Sequence, residues 1–298
     1  MPTHEINAAA AGSWRIGDLA VNRIGFGTKR LAGKGPFDIE DAIDRGRAIG
    51  LLRRAIELGV NHIDTAAFYP TYPAPERGAT SFEALHCAND LVQAALAPYP
   101  DDLVIATKVG PTATGLARPD ELRGLVEENL RQLGRDHLDL VYLRQHGLSS
   151  VAEHFGALAE LRDKGMVRHL GLSNVRIEHL EEARSVAPVM AVQNRYGVDF
   201  GRVNDDLVRA CGERAIAFVP FFAIAGAARE EGGVSRSDPV MAIARAHGVT
   251  PAQVRVAWTL SRGPHVLAIP GTSDPQHLEE DVAAGALQLT EDELTALA

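Results

Sequence analysis

Short apolar runs alternate along the whole chain with stretches in which hydrophobic residues recur every three or four positions. RIGFG (23–27) reads as a strand. After it, Leu51, Leu52, Ala55 and Ile56 share one helical face, and Gly59 ends that helix. VNHIDTA (60–66) predicts a strand, FEALHCANDLVQAAL (82–96) a helix, and DLVIATKVG (102–110) a strand. The segment 118–134 carries Pro119 near a helix start, Leu122, Val126, Leu130 and Leu133 on one face, and Gly134 as its stop. A strand from Asp139 to Arg144 follows. Helix 151–164, strand 167–173, helix 176–185, strand 189–196, helix 203–214 and strand 216–222 come next. Thr250 and Pro251 have the chemistry of a cap and first residue for a helix through Trp258. Strand 265–271 and helix 275–285 close the series.

That makes eight strand-then-helix units, with strands apolar on both faces as a helix-covered parallel sheet requires. The expected fold is α/β, a (β/α)8 TIM barrel formed by residues 1–298 as one domain. SWRIGDLAVN (13–22), with Gly17 and Asp18 at its turn, predicts a hairpin that plugs the N-terminal end of the barrel. Chemistry in such barrels sits at the C-terminal ends of the strands. Those ends fall near Asp64, Lys108, Arg144, Ser173–Asn174, Gln193, Phe221 and Gly271.

Composition narrows the function. A formal net charge of −9 disfavours binding to a phosphate backbone, so nucleic acid is not an expected partner. With no run of 18 apolar residues, no membrane span is expected. The opening MPTHEINAAAAGSW lacks a signal-peptide pattern. The two cysteines, Cys87 and Cys211, lack zinc spacing. The expectation is a cytoplasmic protein without metal, a monomer or weak homo-oligomer, acting on a small molecule.

Lys108 ends an otherwise apolar strand, where burial without a partner would be costly, and Asp64 on the neighbouring strand is its natural counter-charge. A purely structural ion pair is one reading. The other includes Tyr69, on the loop after Asp64. A phenol titrates near pH 10, and a nearby cation lowers that value, making it a usable acid towards a carbonyl oxygen.

GVNHIDTAAFY, IATKVG, KGMVRHLGLSNV, VQNRY and IPGTS together resemble the aldo-keto reductases, NAD(P)H-dependent (β/α)8 barrels, and the resemblance spans essentially the whole chain. It implies that Tyr69 donates the proton, Lys108 lowers its pKa and Asp64 holds Lys108. The family's histidine, in the pattern Asp-Leu-x-x-x-His, falls on Arg144 when counted from Asp139. Arginine there resembles the bacterial pyridoxal reductase branch. Always charged, it cannot exchange protons near neutral pH, but it can orient the carbonyl and favour substrates with an adjacent anion. Bracing of the loop is the competing role for Arg144. His146, past the strand end, is read as structural or solvent-facing, with lining of the pocket as the competing role.

No glycine-rich phosphate loop is present, so dinucleotide binding rests on the resemblance alone. It implies that Ser173, Asn174 and Gln193 hold the nicotinamide carboxamide and that Phe221 stacks on the ring, with Ile224 beside it. Gly27, Thr28 and Lys29 are further candidates. Gly271, Thr272 and Ser273 precede a helix whose free N–H groups suit a phosphate. His277 stands where the family often has arginine for the 2′-phosphate, Gly271 where it has lysine, and Glu280 and Asp281 match adenine contacts. NADPH (NADP) is the expected dinucleotide, with NADH the alternative. EEGGVSRSDP (230–239) has the composition of a loop able to close over it.

The segment 70–88 is long for the pyridoxal reductase branch and offers Tyr72, Arg77 and His86 as pocket candidates, with a helix extension or a subunit contact as its alternative roles. The implied activity is reduction of an aldehyde or ketone, pyridoxal-like among them. Reduction of a conjugated C=C and a non-catalytic nucleotide-binding subunit stand as alternatives. A metal-dependent hydrolase would need His-x-His on the first strand, and a glycosidase two carboxylates at the mouth. Neither pattern is found.

Overall fold

The apolar runs pair side by side in the order they occur. The computed structural model describes residues 6–31, 44–71, 86–112, 114–200, 202–224 and 238–297. A hairpin of β1 (Ser13–Ile16) and β2 (Leu19–Asn22) comes first. The barrel strands β3 (Phe26–Gly27), β4 (His62–Asp64), β5 (Val104–Val109), β6 (Leu138–Arg144), β7 (Val167–Ser173), β8 (Ala191–Gln193) and β9 (Ala217–Phe218) then pair in parallel in chain order. Residues 266–268 close the ring. Leu267 N–H donates to Phe218 O at 2.9 Å on one side, and Gly25 N–H donates to Ala268 O at 2.8 Å on the other. The fold is the expected (β/α)8 barrel.

The hairpin plugs the barrel floor as its pattern predicts. Ile16 and Val21 bury into the interior layer with Val104, Ala106, Leu140 and Leu267. Its turn needs Gly17, at φ +62, because a Cβ there would lie 2.4 Å from the His169 ring. Asp18 in the turn binds Arg168 and, at 2.6 Å, His169 Nε2, and these partners hold its carboxyl well below the usual range. Higher in the barrel Gly171 gives way to Tyr142: a Cβ at 171 would lie 2.6 Å from the phenol ring. A Gly171→Ala change would therefore force the central layer apart, at about 1–3 kcal/mol.

Around the strands run α1 (Arg45–Glu57), α2 (Ala88–Leu96), α3 (Leu122–Leu133), α4 (Ala152–Asp163), α5 (Ile177–Val186), α6 (Asp205–Glu213), α7 (Asp238–His247), α8 (Pro251–Ser261), α9 (Pro275–Ala283) and α10 (Glu291–Ala296). Among the described residues none is long and apolar enough to cross a membrane. Two corrections arise. The helix expected over 82–96 begins at Ala88, because His86–Cys87 pairs antiparallel with Pro70–Thr71; residues 82–85 lie outside the described residues. The loop expected over 230–239 ends early. Asp238 and Pro239 open α7, which buries Val240, Ile243 and Ala244 and packs on α8. A template with one helix per strand has no slot for α7, since two helices follow β9. Residues 230–237, Tyr72 and Arg77 lie outside the described residues, as does the side chain of His86.

Candidate active site

Parallel register brings the ends of β4, β5, β6 and β8 together at the barrel mouth. Lys108 Nζ donates to Asp64 Oδ1 at 2.6 Å and to Thr65 O at 3.0 Å, with both side chains almost fully buried. The other carboxylate oxygen, Oδ2, accepts from Gln193 Nε2 at 2.7 Å. A buried pair needs hydrogen bonds beyond its own contact to offset desolvation, and here Thr65 O serves the ammonium and Gln193 Nε2 the carboxylate. The ammonium lies 5.2 Å from the centre of the Tyr69 ring. Tyr69 is held by its backbone: its N–H donates to Ala66 O at 3.1 Å, and its carbonyl accepts from Ala88 N at the start of α2, at 2.9 Å.

His62, two residues before Asp64 on β4, and Tyr142, the register partner of Lys108 on β6, are both fully buried. Desolvation pushes the His62 imidazole down to about 4 and the Tyr142 phenol well above its ordinary value. Both are therefore neutral near pH 7, so neither adds charge beside Asp64 and Lys108.

Arg144 ends β6 as counted from Asp139. Its guanidinium lies 5.6 Å from the centre of the Phe221 ring, and among the described residues no carboxylate is within ion-pair distance. His146 is exposed, the solvent-facing one of the roles left open for it.

Gly27, Lys29, Asp64, Tyr69, Phe221, Ile224 and Gly271 line one cleft, joined by Arg30, Phe222, Ala223, Ile269 and Pro270. Gly27 and Gly271 let the first and last strands approach closely: a Cβ at 271 would lie 2.3 Å from Gly27 O. Thr28 and Ser173 are buried, and each hydroxyl lacks a hydrogen-bond partner among the described residues. Asn174 takes φ +61, donates from Nδ2 to Gln145 O at 3.2 Å and accepts at its carbonyl from Gln145 Nε2.

The last loop departs from expectation. The N–H groups expected to be free at the start of α9 are partly taken: Asp274 accepts from Gln276 N at 2.8 Å, and this bond holds its carboxyl below the usual range. Thr272 is buried, with Oγ1 accepting from Asp274 N at 3.0 Å, whereas Ser273 and His277 are exposed. Glu280 accepts from Gln276 Nε2 at 2.9 Å. Asp281 is only 3% exposed, and burial, with Glu280 beside it, pushes its carboxyl up to about 7. Of this group, Gly271 alone lines the cleft.

Sequence reasoning missed Arg195 and Phe222. The Arg195 guanidinium lies 5.3 Å from the Phe222 ring centre and 5.4 Å from that of Phe200, and Lys29 Nζ lies 5.6 Å from Phe222. Arg195 stands inside VQNRY, beside Gln193, so its signal was in view. Phe222 adopts φ +68, uncommon for a bulky residue and invisible in composition.

A barrel of this kind with a buried Asp–Lys pair beside a tyrosine defines a class, and sequence comparison agrees: the aldo/keto reductase family profile matches residues 23–298. The chain belongs to the aldo/keto reductase family. It is 39% identical to a pyridoxine 4-dehydrogenase of Escherichia coli (strain K12), over 97% of this chain and 98% of that one. It is 28% identical to a methylglyoxal reductase of the same organism, over 94% of this chain and 91% of that protein. An aldo-keto reductase from Klebsiella pneumoniae, solved in complex with NADPH, superposes with a TM-score of 0.74 at 26% identity, covering 93% of this chain and 90% of that one.

Proposed function

We propose that this chain, acting as one barrel domain, reduces an aldehyde or ketone to an alcohol with NADPH, and that a pyridoxal-like aldehyde is among its substrates. The observation that carries this reading is the buried Asp64–Lys108 pair, 2.6 Å long, with its ammonium 5.2 Å from the Tyr69 ring. A nicotinamide dinucleotide fits the residues present: Ser173 and Thr28 bury hydroxyls that await partners, Gln193 has Oε1 left to accept, and Phe221 offers a ring face at the cleft. Ser173, Asn174, Gln193 and Phe221 would hold the nicotinamide end. Bound there, the group supplies hydride.

The chain's own residues supply the rest. Tyr69 protonates the carbonyl oxygen. Lys108 favours the resulting phenolate, and Asp64 keeps the ammonium in place. Arg144 orients the oxygen and stabilises developing negative charge. The similarity to a pyridoxine 4-dehydrogenase supports an aromatic aldehyde, and the solved NADPH complex of a relative supports the phosphorylated dinucleotide.

Tyr69→Phe tests the reading. Turnover should fall by at least about a hundredfold, the usual contribution of a positioned general acid. Binding of NADPH, followed by nicotinamide fluorescence, should change little. Full turnover in this variant would remove Tyr69 from the chemistry.

A further inference from the structure

Gln193 reaches across the mouth of the barrel and spends its only amide nitrogen on Asp64. The bond from Nε2 to Oδ2 is 2.7 Å, both groups are buried, and β8 and β4 are not neighbouring strands in the sheet. It is therefore a staple across the barrel interior rather than a contact between adjacent strands. Asp64 thus has one donor on each oxygen, Lys108 on Oδ1 and Gln193 on Oδ2. A carboxylate with two directional partners has one orientation. With one partner it can rotate, and its ammonium moves with it.

We propose that Gln193 is a positioning residue for the proton donor: it fixes the Asp64 carboxylate, and through Lys108 the potential at Tyr69, in addition to any contact with cofactor. This rests on the reading of Tyr69 as the acid. The surroundings leave the role to Gln193. Among the described residues, the other titratable or charged groups facing this pocket are His62 on β4, Tyr69 on the following loop, Lys108 on β5, Tyr142 and Arg144 on β6, and Lys29 and Arg30 across the cleft. Among the described residues, besides Thr65, whose carbonyl shares the ammonium, Gln193 is the neutral group that hydrogen-bonds the pair.

Gln193→Glu separates the two roles. It keeps an oxygen acceptor for a ligand amide and removes the donor to Asp64. Two carboxylates at this distance resist ionising together, so they titrate as a pair whose second proton leaves only in the alkaline range. Turnover should fall about tenfold or more at pH 8, the scale of losing a hydrogen bond to a charged group. It should recover as the pH drops and the introduced carboxyl, once protonated, donates to Asp64 again. NADPH affinity, read by fluorescence at both pH values, should change far less than turnover. Gln193→Met, close in shape but without donor or charge, should move the alkaline limb of turnover upward, because Asp64 then presents unshared negative charge to Tyr69; circular dichroism melts check that both variants fold, and if the Glu variant does not, the Met limb decides. A pH profile that overlays the unsubstituted enzyme, with only NADPH affinity changed, would overturn the proposal. Tyr69→Phe is run beside them. Surviving turnover there overturns the reading and the proposal together. An inactive Tyr69→Phe with an unmoved profile in the Gln193 variants overturns the proposal alone.

Discussion

Arg144 is the residue that most sets this site apart. Counting from Asp139 placed it at the end of the strand, and it is there, over the Phe221 ring and without a carboxylate in reach among the described residues. A cation held by a ring face at 5.6 Å keeps most of its charge available to a ligand. Substrates with a phenolate or carboxylate beside the carbonyl should exploit it. Arg144→Leu is expected to raise KM about tenfold or more for such aldehydes, in line with loss of a charge-assisted hydrogen bond. For neutral aldehydes of similar size the main loss should be in kcat. A steady-state panel of anionic and neutral aldehydes checks this, and equal losses on both would restrict Arg144 to the carbonyl oxygen. The residue's position was legible because strand period and a fixed count suffice to find it. Its partner ring was not, because Phe221 lies 77 positions on, beyond the reach of any local pattern.

At the scale of elements, the strands that carry Asp64 and Lys108 are stapled from behind. Thr65 follows Asp64 and Thr107 precedes Lys108, so both side chains point away from the barrel interior. Thr65 Oγ1 donates to Asn89 Oδ1 on α2 at 2.8 Å. Asn89 Nδ2 donates to Asn129 Oδ1 on α3 at 2.9 Å and to Gln132 Oε1 at 3.0 Å. Thr107 Oγ1 completes the network on Asn129 Oδ1 at 2.5 Å. Asn129→Ala would strand the Thr107 hydroxyl and part of the Asn89 amide, at about 1–3 kcal/mol for each buried group. A fall in melting temperature of roughly 5–10 °C is expected. Thr107→Val alone should cost less than Asn129→Ala, and the double variant less than the sum, since the two share a partner. Thermal melts of all three settle it, and strict additivity would show that the network is not coupled. The hydrophobic face of α3 was read correctly at Leu122, Val126 and Leu133, but Asn129 and Gln132 are buried as well, while Leu130 is only half-buried. A polar residue on a helix reads as solvent-facing unless its partner is known. Here the partner sits 40 positions away, on another helix.

For the whole molecule, periodicity carried the barrel because each strand buries on both faces and each helix on one, a signal repeated eight times. It could not show which buried groups titrate, and two of these make opposing contributions to the response of stability to pH. His62 falls from 6.5 to about 4 and Asp281 rises from 3.8 to about 7, both chiefly through desolvation. For His62 the folded state binds fewer protons than the unfolded chain between those values, so its contribution is lost as pH falls from about 6.5 to about 4. For Asp281 the folded state binds more, so its contribution is complete below about pH 4 and is lost as pH rises through about 7. The two slopes oppose each other in the acid range and largely cancel, but above pH 6.5 only that of Asp281 remains. Asp281→Asn keeps the shape and removes the titration. The variant should therefore be more stable than the parent at pH 8, by a few kcal/mol at most given the size of the shift, and nearly equal to it at pH 4. Its own stability should rise from pH 4 to about 6.5 and then level off, exposing the His62 slope, to which His265, also held down by burial, adds. Urea midpoints at pH 4, 6.5 and 8 measure this directly. A stability difference independent of pH would mean that the Asp281 carboxyl titrates at its ordinary value, and that α9 accommodates its charge at no cost.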